Sequence, residues 1–110
     1  MQQNGALSVD EAMALLWVRF LPHLHERVRV LEKASSALLK ESFEPAECAE
    51  AGAAAHKLAG VLGSFGLHEG THLAREAEAL CLDAARPDAI ASARVAEIAS
   101  QLRAMLAQRG

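Results

Sequence analysis

Apolar residues recur at helical spacing along almost the whole chain, and no stretch alternates apolar with polar residues as a half-buried strand would. Met13, Leu16 and Phe20 form one such series, with Trp17 beside them. Leu24, Val28, Leu31, Ser35 and Leu38 form a second, and Leu73, Ala77, Leu80 and Ala84 a third. Ala91, Val95, Ile98, Leu102 and Met105 form the last. Composition points the same way. Hydrophobic residues make up 52% of the chain but aromatics only 4%, with no tyrosine, so alanine and leucine carry the apolar mass. That mixture favours helices over a sheet.

Local signals divide the periodic runs. Ser8 is a good N-cap, with Asp10 and Glu11 placed to meet the positive end of the helix dipole. Pro22 is read as stopping or kinking a first short helix and opening a second over about 23–41. After a break at 41–45, Pro45 fits the first turn of a third helix, near Glu47 and Glu50, which ends around Gly66. A fourth covers about 67–84, and Arg86-Pro87-Asp88 separates it from a fifth that Asp88 caps. The sequence therefore predicts an all-α fold: an antiparallel up-down four-helix bundle with an additional short N-terminal helix, a single domain over 1–110, with residues 1–6 frayed.

The third helix has two unlike faces. At about 100° per residue, Ala51, Ala54, Leu58, Val61 and Phe65 share an apolar side. His56 stands opposite, among Ala49, Gly52, Ala53, Gly60 and Gly63. Each interior glycine costs roughly 1 kcal/mol relative to alanine, so a cluster of them calls for a reason. One is access, letting another protein's backbone come close to His56. The other is structural: Gly63 and Gly66 end the helix and Gly60 permits close helix packing.

The run Ala55-His56-Lys57-Leu58-Ala59-Gly60, continued by Gly63-Ser64-Phe65-Gly66-Leu67, resembles the phosphorylation segment of histidine-containing phosphotransfer (HPt) domains. Phe20-Leu21-Pro22, Leu24, Val28 and Leu31 resemble that family's second helix, and Leu73, Ala74 and Ala77 the helix after the histidine. The family often has lysine three residues after the histidine; this chain has Ala59 there and Lys57 one residue after. The resemblance implies that His56 is the phosphoacceptor. Lys57, Gly60, Gly63, Gly52, Ala53 and Ala59 would support the phosphoryl group or the docking partner, and Glu78 stands where the family places a polar residue near the imidazole, either to hydrogen-bond the ring or to face water. It further implies a phosphoryl carrier rather than an independent enzyme, working with a response-regulator receiver domain and a sensor or hybrid histidine kinase. The chain would have no cofactor of its own, and the receiver would bring Mg²⁺. Unperturbed imidazole, with a pKa of about 6.5, keeps a nucleophilic nitrogen free at neutral pH.

Other signals are weighed against this. His68-Glu69-Gly70-Thr71-His72 matches the HExxH pattern of zinc peptidases. Gly70 weakens the helix there, no third ligand follows at the usual spacing, and the chain has no second lobe for a cleft, so no metal site is assigned. A docking bundle whose histidine is never phosphorylated is the main alternative. No phosphate-binding or dinucleotide loop is present, and a net charge of −3 argues against nucleic acid. No apolar run is long enough for a membrane span, and no signal peptide is evident, so the expected location is the cytoplasm. Cys48 and Cys81 are read as free thiols at core or boundary positions. His23 and His25 are read as solvated. Leu15, Trp17 and Leu21 are either an extension of the docking surface or core, with core the better fit for a lone tryptophan.

Overall fold

The computed structural model describes residues 7–40 and 44–109. The expected fraying of residues 1–6 and most of the break at 41–43 lie outside the described residues. Within them the chain is four helices in order, α1 (Val9–Ala37), α2 (Pro45–Ser64), α3 (His68–Leu82) and α4 (Ala89–Arg109), and no strand.

Most helix ends fall where the sequence signals stand. Ser8 caps α1 in a reciprocal box: its Oγ accepts the Glu11 N–H at 3.1 Å, and Glu11 Oε1 accepts the Ser8 N–H at 3.0 Å. Those bonds hold the Glu11 carboxyl below its ordinary value. Pro45 opens α2 at its first turn. Gly66, with φ of 77°, closes it: Leu67 N–H reaches the Leu62 carbonyl and Gly66 N–H the Gly63 carbonyl, a Schellman turn. Asp88 Oδ1 accepts from Ile90 and Ala91 at the start of α4.

One expectation is corrected. Among the described residues no separate short N-terminal helix stands before the bundle, because α1 runs unbroken through Pro22. Trp17, Leu24, Val28 and Leu31 are all buried, so one core-facing stripe passes through the proline in a single helical phase. Pro22 itself is exposed. The N–H it lacks would have bonded the carbonyl of Val18, and Val18 is also exposed, so the missing bond lies toward water. Packing on both sides of the proline outweighs its local preference to stop the helix.

The helices pack in a ring: α1 on α2, α2 on α3, α3 on α4 and α4 back on α1. Paired atoms show the directions. On α2 and α3, Gly52 faces Leu82, His56 faces Glu78 and Gly63 faces Thr71, so the two helices are antiparallel. Between α3 and α4, Gly70 lies against Met105, while Glu76 binds Arg94. Leu24, Val28, Leu31, Leu58, Leu62, Val95, Ile98, Leu102 and Leu106 fill the centre, each at most 2% exposed.

Candidate functional site

α2 is built to expose one imidazole. Ala51, Ala55, Leu58 and Leu62 are buried on one face, which leaves His56 on the other with its side chain 75% exposed. α3 buries Leu73, Ala74, Ala77 and Cys81. Glu78, next to that stripe, comes to the edge of the α2–α3 seam, 24% exposed. Its Oε2 lies 3.0 Å from His56 Nδ1. His56, Lys57 and Glu78 line a shallow groove floored by Ala49, Gly52 and Ala53 and walled by Leu82.

The glycines divide between the two readings the sequence left open. A Cβ on Gly52 would lie 2.8 Å from Leu82 Cδ2, and one on Gly63 would lie 3.3 Å from Thr71 Oγ1, so these two let α3 come close. Gly66 supplies the left-handed residue of the helix end. Gly60 is different: a Cβ there would meet nothing within 4 Å. It alone among the glycines beside His56 matches the access reading. Ala59, expected at the docking surface, is instead buried at 5% exposure, and its carbonyl accepts the Thr71 hydroxyl at 3.0 Å. Its position three residues from His56 turns it toward the α3 seam. Lys57, a quarter-turn from His56, nevertheless reaches the same groove.

Two contributors escape sequence reading. Leu82, 59% exposed, forms the groove wall, and Thr71 pins α2 to α3. The signal for Leu82 was its place one turn after Glu78; for Thr71 no signal within its own helix exists.

The remaining candidates lie elsewhere. His68, Glu69 and His72 are exposed on α3, and Gly70 between them is buried under Leu62 and Met105. Among the described residues no group of three or more His, Cys, Asp or Glu gathers to hold a metal ion. Cys48 and Cys81 are free and buried. Burial pushes the Cys81 thiol up to about 11, with Cys48 nearby adding to it, and burial also raises Cys48. Trp17 is core, 3% exposed, edge-on to Phe65 at 5.1 Å, with the Arg109 guanidinium 4.9 Å from its ring centre. Leu21 is half-buried, and Leu15 is 58% exposed.

Fold and site together define a class: a bundle of helices that offers, at the seam of two antiparallel neighbours, an exposed imidazole held by a carboxylate from the next helix. The Hpt domain family model matches residues 15–109, and the chain belongs to that family. Its members carry phosphoryl groups on histidine within phosphorelays and are carriers rather than enzymes. No curated protein and no solved structure matches the chain. Among the described residues no helix is long and apolar enough to cross a membrane.

Proposed function

We propose that the chain is a phosphorelay carrier, one bundle domain over residues 1–110, in which His56 takes a phosphoryl group from the aspartate of a receiver domain, or from a kinase, and passes it on. The observation that carries this is the 3.0 Å contact between Glu78 Oε2 and Nδ1 of an imidazole 75% exposed. An ionised carboxylate only accepts hydrogen bonds, so Nδ1 carries the proton and the lone pair resides on Nε2. That lone pair attacks the phosphorus of the acyl phosphate. The Nε2–P bond forms as the bond from phosphorus to the aspartate oxygen breaks, and the electron pair returns to the aspartate carboxylate. The ring becomes positively charged, and Glu78 offsets that charge. The return transfer reverses each change.

Other residues support the same reading. Gly60 leaves the approach open, Gly52 and Ala53 shape the groove, and Lys57 brings a cation to it. Mg²⁺ is assigned to the receiver, since the carboxylate beside His56 is engaged with Nδ1 and no three-ligand cluster gathers among the described residues. The proposed setting is the cytoplasm, with a sensor or hybrid histidine kinase upstream. The test is incubation with a receiver domain carrying labelled phosphate. Acid-labile label moves to this chain, and His56→Gln abolishes the transfer. Label still transferred to the His56→Gln protein would overturn the assignment.

A further inference from the structure

One turn before Glu78, α3 carries a cation that this mechanism leaves unused. His56 lies opposite Glu78 across the α2–α3 seam, and the Ala59 carbonyl lies opposite Thr71. Arg75 falls between those two rungs, one turn before Glu78 on α3, level with the stretch of α2 that follows His56. Residues three apart on a helix are surface neighbours. Arg75 is exposed and has no ion-pair partner among the described residues, unlike Arg29, Arg94 and Arg103. The nearby surface of α2 is bare at Gly60.

Charge explains why a cation there matters. A phosphoryl group on Nε2 brings two negative charges, while the positive charge of the ring is already matched by the Glu78 carboxylate on its other nitrogen. Like charges so close raise the energy of the phosphorylated state. Lys57 offers one compensating charge from α2, and Ala59 offers none. A guanidinium suits the remaining role, because its planar fork pairs two phosphoryl oxygens at once.

Resting on the carrier reading above, we propose that Arg75 is a phosphoryl-binding residue. It is unpaired in the resting protein and closes onto the oxygens of the group on His56 once transfer has occurred. It acts from α3, so Glu78 and Arg75 divide the work: the first holds the ring and the second holds the phosphoryl group.

Potassium phosphoramidate tests this without a partner protein. Nε2 attacks its phosphorus, the N–P bond to nitrogen breaks, and ammonia leaves with the proton it needs from solvent. Arg75→Gln slows labelling of the full chain by about two- to fivefold, the range expected for an exposed ion pair. It also shifts the titration of the phosphoryl group, followed by ³¹P NMR, to higher pH. Arg75→Lys restores most of both. Helical circular dichroism stays unchanged, since Arg75 is exposed. If Arg75→Gln leaves rate and titration as in the wild type while His56→Gln is unlabelled, the Arg75 role is overturned and the carrier reading stands. An equal slowing by Arg86→Gln, an exposed arginine in the α3–α4 connection, would reduce the effect to overall charge and also overturn it. A wild type labelled by neither phosphoramidate nor a phosphorylated receiver overturns both readings.

Discussion

Three glycines on the His56 side of α2 look alike in sequence, and their neighbours set them apart. Gly52 and Gly63 face α3, whereas a Cβ on Gly60 would meet nothing within 4 Å. Gly60→Ala therefore gains helix propensity without a clash, raising stability in urea by roughly 0.5–1 kcal/mol. Gly70→Ala does not share that gain, because its Cβ would press on Leu62 Cδ1 at 3.0 Å and Met105 Sδ at 3.3 Å inside the core. Its stability stays level or falls. Gly60→Leu separates access from stability. It leaves the fold intact and slows transfer from a receiver domain, whose backbone needs the space, far more than it slows labelling by the small phosphoramidate. Equal receiver transfer by Gly60→Leu and wild type would show that the bare patch is not an approach route.

Pro22 shows how an element's fate is decided outside its own residues. A proline inside a helix costs about 3 kcal/mol relative to alanine, less whatever it saves by stiffening the unfolded chain. α1 continues because Trp17 on one side and Leu24, Val28 and Leu31 on the other bury a single stripe. Pro22→Ala is expected to raise stability by about 1–3 kcal/mol in urea, with almost no change in helical circular dichroism, since the helix already runs through. A large rise in helicity would mean that α1 is broken at the proline in solution. The stripe was legible beforehand: Phe20 and Leu24 are four residues apart, so the two series drawn on either side of Pro22 share one phase. The proline's local preference predicts a stop, and the shared periodicity of the buried stripe overrides it. The caps at Ser8, Pro45, Gly66 and Asp88 were legible because each acts within its own turn. The exposure of His56 followed from one helix's period, and its pairing with Glu78 from the family resemblance. The burial of Ala59, the wall at Leu82 and the Thr71 tie depend on the register between α2 and α3, which no single helix's pattern encodes.

At the scale of the molecule, α4 ties the ring together with charge as well as with its buried stripe. Arg103 forks onto Glu32 of α1 at 2.8 and 3.0 Å, and Arg94 onto Glu76 of α3 at 2.6 and 2.7 Å, with Glu97 also bonded to Arg94. The Arg103 hydrogen bonds hold the Glu32 carboxyl below 4.5, the value of a free glutamate, and the Arg94 hydrogen bonds do the same for Glu76. Folded, these carboxyls bind protons more weakly than they do in the unfolded chain. Their contribution is complete above about pH 4.5 and is lost as pH falls through the lower folded values, because unfolding then takes up protons. The urea midpoint should therefore decline as pH drops below about 5. Arg103→Met isolates one share of that decline. Both side chains of its pair are about two-fifths exposed, 40% and 43%, so water screens the bond and takes over Glu32 when the arginine is gone. The variant loses about 1 kcal/mol or less at neutral pH. With Glu32 then titrating as a free carboxyl, its midpoint falls less steeply with acid than the wild type's. Parallel curves for the two proteins would mean that Glu32 titrates in the folded protein as it does in the unfolded one, and that the α1–α4 tie is made by apolar packing alone.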